Sequence, residues 1–349
     1  MRELYIANRR IADDAPALVI AECSHNHLGN LELAREMVRL AAEAGADAVK
    51  FQKRGKSTYQ GLRQIGEIAY ADQRDNRELH RLQYRQLSDY AHELGLQFIV
   101  TVFDAESVDN LHWANVDAYK LASGDITNPP LLEYVARTGK PLLVSTGGAD
   151  MQTVRYAAYR LRQVGAQFAL LHCTSEYPVD VGNANLRVID TLRQEFSDPV
   201  IGFSSHVHRG QGAGLEAAAY LLGARIFEKH YTITPEIASG EHAFGVTPAD
   251  LGQLVSTLRS LPLALGDGVK RLLESEQAGV LRLGKHLAYK HDLAKGAVVC
   301  EEDLIVIGGG RGLSPLQLSW LIGGRLLRSV SEGEDVEVGD IIRRVECLA

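Results

Sequence analysis

Lysines and hydroxyl residues recur near the ends of short apolar runs, and this pattern is suited to binding an anion. Lys50 lies in the run AVKFQ and Lys120 in the run DAYKLAS. A buried ammonium without a partner is costly, so each lysine needs either a carboxylate, such as Glu22 or Glu228, or a bound anion. For one lysine the two interpretations are equally good, but two lysines beside hydroxyl groups favour a phosphate or carboxylate site. The hydroxyl residues at neighbouring run ends are Ser123, Ser145, Thr146, Thr174, Ser175 and Ser204.

Two histidines at the ends of successive apolar runs form a second candidate site. His206 follows IGFSS, and His230 ends RIFEKH. Two imidazoles suit a divalent transition metal with open coordination positions. Most histidines have a structural role instead, but the neighbouring anion site favours the metal here. Tyr177 is expected either to pack in the core or to stack on a substrate, and Cys173 to be a buried small residue rather than a nucleophile.

Eight apolar runs separated by helix-length stretches must position these side chains. Runs of this kind predict parallel strands, and eight units in about 250 residues predict a closed (β/α)₈ barrel, whose chemistry sits at the carboxyl ends of its strands. An open doubly wound sheet is the alternative, but no G-x-G-x-x-G follows the first run. Residues 53–77 form a long polar excursion of the kind that often acts as a lid. The runs cover residues 17–23, 48–52, 97–103, 117–123, 141–146, 168–174, 199–205 and 225–232.

The barrel pattern ends near residue 265, after which the chain changes character. The last part combines short strand signals and glycines with no long helix, which predicts a small β-rich domain. A glycine precedes an aspartate by seven residues in two places there, at Gly296 and Gly333, and this echo predicts internal pseudo-symmetry. The predicted segments are a barrel domain at 1–265, a linker at 266–285 and a small domain at 286–349.

The composition limits the class of protein. With 46% hydrophobic and 23% charged residues among 349, the chain is globular rather than disordered or fibrous. The 37 basic and 44 acidic residues give a net charge of −7, which argues against a nucleic-acid partner. No apolar run reaches the roughly 18 residues of a membrane helix, and the N-terminus has no signal-peptide core, so a cytoplasmic protein with no membrane partner is expected. The four cysteines form no C-x-x-C, which fits a reducing compartment.

Together, these residues predict a metal-assisted barrel enzyme acting on a small phosphorylated or carboxylated molecule, as a lyase, aldolase or transferase. Longer motifs carry a resemblance to a known family. The segments IAECSHNHLGNLELA, GADAVKFQ, LLHCTSEYP, IGFSSH and GARIFEKHYT resemble the sialic acid synthase family, which includes legionaminate and pseudaminate synthases and the spore coat polysaccharide biosynthesis protein E group. The C-terminal part, from DLAKG onward, resembles that family's antifreeze-like (SAF) domain.

The resemblance implies a (β/α)₈ barrel followed by a SAF domain, in a homodimer whose SAF domain covers the partner's active site. It implies that phosphoenolpyruvate condenses with an N-acylated hexosamine, such as N-acetylmannosamine, to give a nine-carbon 2-keto acid and phosphate. The product would serve surface or spore-coat polysaccharide. The implied cofactor is a divalent metal, Mn²⁺ first, with Mg²⁺ or Co²⁺ as alternatives.

The resemblance also assigns roles to residues of this chain. The phosphoenolpyruvate-binding positions are Lys50, Lys120, Ser123, Ser145 and Ser204, and the metal ligands are His206 and His230. Sugar-contacting positions are Gln52, Tyr177 and Glu241, with Glu241 standing where the family has Asp. Further pocket positions are Thr101, Asp125 and Ser175. Glu22 is the candidate acid or base, and Lys50 and Lys120 are expected to assist catalysis by offsetting charge.

Two departures from the family pattern keep other hypotheses open. Leu28 stands where the family has a polar residue, and Gly308 where it has an arginine that reaches the partner's sugar; only Arg311 is close. One alternative is therefore a binding protein that holds phosphoenolpyruvate or sugar without turnover. Another is a barrel aldolase that uses Lys50 or Lys120 as a Schiff base.

Overall fold

The computed structural model describes residues 1–211, 213–237 and 240–342. The chain divides into two compact units, Met1–Gly266 and Asp267–Ala349. None of the described helices is long and apolar enough to cross a bilayer.

Eight parallel strands close into a barrel in the first unit, as the sequence predicts. Each of the eight apolar runs forms one strand, and the last strand pairs with the first. A short antiparallel hairpin, β1 (Glu3–Ile6) and β2 (Arg9–Ala12), precedes them. The barrel strands are β3 (Leu18–Ser24), β4 (Ala48–Lys53), β5 (Gln97–Val102), β6 (Ala118–Leu121), β7 (Leu142–Ser145), β8 (Phe168–His172), β9 (Val200–Ser205) and β10 (Ile226–His230).

Helices surround the barrel and begin and end at recognisable signals. The side chain of Asn30 accepts a hydrogen bond at the start of α1, and Asp150 does so for α7. Gly45, with φ of 82°, follows α1 and takes the left-handed conformation that ends a helix. The helices are α1 (Leu31–Glu43), α2 (Lys56–Gln64), α3 (Ile68–Asp75), α4 (Arg81–Glu93), α5 (Ala105–Asn110), α6 (Pro129–Ala136), α7 (Met151–Gln163), α8 (Arg187–Glu195), α9 (Ala213–Leu221) and α10 (Pro248–Leu265). Short 3₁₀ helices lie at Ser123–Thr127, Val181–Asn183, Arg209–Gln211 and Gly240–Ala243.

The interior of the barrel is apolar at one end and polar at the other. Successive inward positions on β3 are Leu18, Ile20 and Glu22, because side chains alternate along a strand. Leu18 and Ile20 belong to a buried cluster that also contains Leu4, Ile6 and Ile11 of the hairpin. The hairpin therefore fills the amino end of the barrel, and the polar residues are left at the carboxyl end, where barrel enzymes carry their chemistry.

The polar excursion after β4 is largely helical. Instead of an irregular lid, it contains α2 and α3, which pack against each other. The sequence does not predict these two helices clearly, because both are short and each buries only one residue, Tyr59 in α2 and Ala71 in α3.

The second unit is β-rich with short elements. A turn of 3₁₀ helix, Glu274–Glu276, and α11 (Gln277–Leu283) precede its strands. The remaining elements are β11 (Lys285–Tyr289), 3₁₀ helix Glu301–Asp303, β12 (Leu304–Gly308), 3₁₀ helix Pro315–Gln317, α12 (Leu318–Leu321), β13 (Arg325–Leu326) and β14 (Ile341–Ile342). β11 pairs with β12 and β13 with β14, both antiparallel.

The two halves of the predicted repeat adopt equivalent local structures. Asp303 Oδ2 accepts the backbone N–H of Cys300 at 2.7 Å, and Asp340 Oδ2 accepts that of Glu337 at 2.8 Å. The glycine seven residues before each aspartate, Gly296 in one half and Gly333 in the other, has a positive φ. Leu293 and Val330, at matching positions, exchange backbone hydrogen bonds with each other. The pseudo-symmetry that the sequence predicts is thus confirmed in the backbone.

Close strand packing predicts that the barrel does not tolerate a side chain at Gly202 of β9. A Cβ there would lie 2.7 Å from the carbonyl oxygen of Ile226 and 3.0 Å from Leu171 Cγ. Gly202→Ala is expected to lower the free energy of unfolding by about 1–3 kcal/mol, measured by urea denaturation. Gly61→Ala is the matched control, because a Cβ in that helix meets nothing within 4 Å; it should be neutral or stabilising by up to roughly 1 kcal/mol. Equal effects of the two substitutions would contradict the packing argument.

Candidate active site

A cavity of about 360 Å³ opens at the carboxyl end of the barrel. Most of the residues that the sequence singles out line it. They are Glu22, Lys50, Gln52, Thr101, Lys120, Ser123, Ser145, Tyr177, Ser204, His206, Glu228, His230 and Glu241. A larger groove of about 830 Å³, lined by Trp113, Tyr134 and Arg137 among others, lies outside the barrel. None of the charged residues that line this groove is buried, so the barrel cavity is the better candidate for chemistry.

Strand register places charged and polar groups of neighbouring strands side by side. Glu22 on β3 is paired in register with Lys50 on β4 on one side and with His230 on β10 on the other. Glu228 on β10 is in register with Ser204 on β9. Because neighbouring residues in register point to the same face, the barrel itself assembles these groups.

Two lysines and two glutamates form a buried charge network in the cavity. Lys50 Nζ lies 2.6 Å from Glu22 Oε2 and 3.6 Å from Glu228 Oε2. Lys120 Nζ lies 3.9 Å from Glu228 Oε1 and donates to Ser145 Oγ at 2.5 Å. The sequence leaves open whether each lysine forms a structural ion pair or lines an anion site. In the structure, both lysines pair with a glutamate and also line the cavity.

Hydroxyl and amide groups add hydrogen bonds to this network, although Glu22 Oε2, Glu228 Oε2 and Gln52 Oε1 accept none. Lys50 donates to Thr101 Oγ1 at 2.6 Å, and Ser204 donates to Glu228 Oε1 at 2.9 Å. Gln52 Nε2 donates to Glu22 Oε1 at 2.7 Å. Glu22 is thus held by two side chains of β4, Lys50 and Gln52.

The two lysines differ in their electrostatic environment. Burial lowers the pKa of Lys50, but Glu22 and Glu228 outweigh burial and raise that pKa above its usual range. Burial also lowers the pKa of Lys120; Glu228 raises it, but the neighbouring Lys50 ammonium lowers it again, so the pKa of Lys120 lies below its usual range. Lys50 is therefore a fixed ammonium, whereas Lys120 gives up its proton more readily.

His206 and His230 meet at the cavity wall, with ring centroids 5.1 Å apart. His206 Nδ1 lies 2.8 Å from the carbonyl oxygen of Thr174, so Nδ1 carries the proton and Nε2 keeps its lone pair. His230 Nδ1 lies 3.1 Å from Glu241 Oε2. The ring of Tyr177 packs on His206 at 4.1 Å between centroids.

This donor set fits a divalent metal. Ligand atoms of Glu22, His230 and Glu241 all lie within 4.8 Å of one another. Of the two predicted histidine ligands, His230 belongs to this group and His206 does not, although its ring centroid lies 5.1 Å from that of His230. Imidazole and carboxylate donors suit Mn²⁺ and similar ions. A carboxylate partner on His230 is also the usual way in which a histidine ligand is oriented. Glu241, predicted as a sugar contact, lies close enough to serve the metal as well.

Three predicted residues do not line the cavity. Asp125 is half-buried in the 3₁₀ helix after β6, where burial raises its pKa to about 6. Ser175 is exposed, although its Oγ and that of Ser123 both lie within 3 Å of where a Cβ of Gly147 would stand. Arg311 belongs to the second unit, where its backbone N–H donates to Asp335 Oδ2 at 3.2 Å.

Several cavity residues were not predicted from the sequence. They are Arg54, Tyr70, Arg74, Phe103, Ala122, Cys173 and Phe244. Arg54 could have been found, because it continues the inward series of Lys50 and Gln52 by two residues. Arg74 and Tyr70 come from α3 and carry no comparable sequence signal. Leu28, one of the two departures from the family pattern, does not line the cavity.

Glu78 anchors the excursion to the barrel. Its carboxylate accepts from Lys53 Nζ at 2.8 Å, from the backbone N–H of Arg54 at 3.2 Å and from the hydroxyl of Tyr59. His25 Nε2 also lies 3.1 Å from it. Burial raises the pKa of Glu78, but the His25 and Lys53 donors outweigh burial and hold the pKa at about 2.

The fold and the cavity define a (β/α)₈ barrel with a charged, metal-compatible site at the carboxyl ends of its strands. A sequence model of the NeuB family matches residues 37–270. The chain belongs to the NeuB family.

Similar proteins cover nearly the whole chain. Human N-acetylneuraminate-9-phosphate synthase is 33% identical over 94% of this chain and 93% of its own length. N,N'-diacetyllegionaminic acid synthase of Legionella pneumophila is 34% identical over 94% of this chain and 97% of its own length. The crystal structure of the spore coat polysaccharide biosynthesis protein SpsE of Bacillus subtilis superposes with a TM-score of 0.67 at 31% identity, covering 98% of this chain and 100% of that one.

The Glu78 contacts predict a pH-dependent loss of stability. Its pKa is about 2 in the folded chain against an ordinary value of 4.5, so the ionised carboxylate stabilises the fold above pH 4.5, and this contribution is lost as the pH falls toward 2. Glu78→Gln should lower the free energy of unfolding by roughly 2–3 kcal/mol at pH 7, because it leaves the Lys53 ammonium unpaired. The difference between the two proteins should shrink below pH 4.5 in urea denaturation series. A difference that stays constant from pH 7 to pH 3.5 would contradict this role.

Proposed function

We propose that this protein condenses phosphoenolpyruvate with an N-acylated hexosamine to give a nine-carbon, sialic-acid-like 2-keto acid and phosphate. The supporting observation is the buried Lys50–Glu22–Glu228–Lys120 network beside a pair of histidines in one cavity. Such a cavity offers cations for a phosphate and a carboxylate, and metal ligands for an aldehyde. The relatives named above are synthases of related sugar acids or a polysaccharide biosynthesis protein, and they support the same class of reaction.

Phosphoenolpyruvate is held by the deep lysines and the hydroxyl groups. Lys120 and Ser145 bind the phosphate, with Ser123 and Ser204 at neighbouring strand ends. Lys50 neutralises the carboxylate. Lysines that are already fixed by glutamates need no reorganisation when the anion enters, which is how preorganised charges favour a reaction.

The residues around Glu22 move the protons of the reaction. Carbon 3 of the enol phosphate attacks the sugar aldehyde, whose oxygen takes up one proton and becomes a hydroxyl group. Water adds at carbon 2 and gives up one proton, and the resulting intermediate expels phosphate, which takes the proton of the carbon 2 hydroxyl as the keto group forms. Glu22 takes a proton from the attacking water, because Lys50 and Gln52 hold its carboxylate in a fixed position. His206, His230 and the neighbouring Glu241 would hold a divalent metal, Mn²⁺ first, which polarises an aldehyde as a Lewis acid.

The remaining parts of the proposal concern the cellular setting. We place the protein in the cytoplasm, as a homodimer in which the antifreeze-like domain of one chain covers the active site of the other. Its product would serve a surface or spore-coat polysaccharide. The relatives' names include N-acetylneuraminate 9-phosphate in one case and N,N'-diacetyllegionaminic acid in another.

A Schiff-base aldolase is the second candidate, and the lowered pKa of Lys120 favours it. A neutral amine at this position could attack the carbonyl carbon of pyruvate. Borohydride treatment in the presence of pyruvate would then attach a three-carbon adduct, visible by mass spectrometry and absent from Lys120→Arg. No adduct is expected if the condensation with phosphoenolpyruvate is the reaction.

Phosphate release tests the proposal directly. Phosphoenolpyruvate and Mn²⁺ should release phosphate only when a suitable N-acetylated hexosamine is added. His206→Ala removes one candidate metal ligand and should lower the rate by about 100-fold or more. His112→Ala, an exposed histidine next to Trp113, is the matched control and should retain the rate.

Two other outcomes would count against the proposal. Phosphoenolpyruvate binding without phosphate release in the presence of any sugar would favour the binding-protein alternative. An equal loss of rate in both histidine variants would contradict a role of His206 at the site.

A further inference from the structure

A chain of polar contacts connects the helical excursion after β4 to His230. Glu241 is the link, because its Oε2 lies 3.1 Å from His230 Nδ1 and its Oε1 accepts from Arg74 Nη2 at 3.0 Å. Arg74 belongs to α3, whereas Glu241 lies in the 3₁₀ helix Gly240–Ala243. A side chain of the excursion therefore acts on the carboxylate that faces a candidate metal ligand.

Arg74 is itself held by the residues that anchor the excursion. Its Nη1 lies 3.2 Å from His25 Nδ1, and the other ring nitrogen of His25 lies 3.1 Å from Glu78 Oε1. The guanidinium also lies over the ring of Tyr70, 4.8 Å from its centroid. The two terminal nitrogens of Arg74 thus face different partners, and the chain of contacts runs without a break from Glu78 to His230.

The two histidines of the site are oriented by different kinds of group. His206 Nδ1 faces a backbone carbonyl, that of Thr174, whereas His230 Nδ1 faces the side chain of Glu241. A side chain can orient a ligand only when its own rotamer is fixed. Arg74 fixes Glu241 from the opposite oxygen, and because their side chains are only 12% and 14% exposed, salt screens this pair less than a surface pair.

We propose that Arg74 is a positioning residue for the metal site: it holds Glu241, which in turn holds the ring of His230 with Nε2 free to bind the metal. This inference rests on the metal assigned in the proposed function, but it does not depend on which sugar is the acceptor. Simple electrostatics gives the opposite expectation, because removing a cation from the neighbourhood of a divalent metal should strengthen metal binding. The sign of the effect therefore decides between the two.

Titration with Mn²⁺ alone tests this inference. The electron paramagnetic resonance signal of free Mn²⁺ gives the Kd of each variant. Arg74→Gln should raise Kd about 10-fold, and Glu241→Gln about 10- to 100-fold, which is the usual effect of losing an outer partner of a metal ligand. Arg74→Lys keeps the charge but cannot reach both partners in the same way, so its Kd should lie between those of Arg74→Gln and the wild type. The double variant should bind no more weakly than Glu241→Gln, because Arg74 acts through Glu241.

Arg63→Gln is the matched control within the same excursion. Arg63 of α2 forms ion pairs with Asp72 at 2.8 Å and Asp75 at 2.7 Å, and these contacts lie outside the chain of contacts that ends at the metal site. Its Kd for Mn²⁺ should equal that of the wild type. A rise as large as that of Arg74→Gln would mean that any loosening of the excursion weakens metal binding, and would overturn the positioning role. Urea denaturation without metal checks that each variant is folded.

The outcomes separate this inference from the proposed function. An unchanged or lower Kd in Arg74→Gln would overturn the inference, and sugar-dependent phosphate release would still uphold the condensation. If no sugar supports release but the Kd values follow the expected order, the inference stands and the proposed function fails. If Arg74→Gln does not fold, Arg74→Lys carries the test, and a Kd at or below that of the wild type would overturn the inference. A wild type that binds no Mn²⁺ would overturn it as well.

Discussion

Four charges buried inside the barrel constrain the rest of this structure. Lys50, Lys120, Glu22 and Glu228 are all nearly inaccessible to solvent, and a buried charge is tolerated only when it is paired and hydrogen-bonded. The two carboxylates and two ammonium groups pair with one another, and surrounding hydroxyls add hydrogen bonds. Replacing any member with an apolar residue would leave another member uncompensated. This interdependence holds the four side chains in fixed positions.

Residues packed below and above the four charges hold the site in place. The N-terminal hairpin fills the amino end with Leu4, Ile6 and Ile11, so the apolar core lies below the charges and does not compete for the cavity. Above the charges, Arg54 directly follows β4, and α3 brings Tyr70 and Arg74 to the mouth. Glu78 connects the excursion after β4 to the barrel. The cavity thus lies between the apolar core at the amino end of the barrel and a mouth whose residues are held by ion pairs.

The sequence predicts the barrel well because each strand has a local signal. An apolar run, a polar residue at its end and a glycine after the next helix are all visible within about twenty residues of each other. The deep site follows from the same signals, since alternation fixes which residues face inward. The sequence allows Lys50 to be either an ion-pair partner of Glu22 or a residue of the anion site. Both are correct, because Lys50 pairs with Glu22 and lines the cavity.

The residues at the mouth of the cavity are less predictable, because they are positioned by contacts between segments that are far apart in the sequence. The Arg74–Glu241 pair joins residues 167 positions apart, and neither residue reveals the other. The helices α2 and α3 bury too few residues to give a clear periodicity. Asp125 and Ser175 are expected in the pocket by resemblance but do not line it; Asp125 lies in the 3₁₀ helix after β6 and Ser175 is exposed.

The most direct test of this account is a crystal structure of the protein with phosphoenolpyruvate and Mn²⁺. The account predicts the phosphate within hydrogen-bonding distance of Lys120 and Ser145, the carboxylate near Lys50, and the metal between His206 and His230. Phosphoenolpyruvate bound outside the barrel, or metal bound away from both histidines, would contradict it.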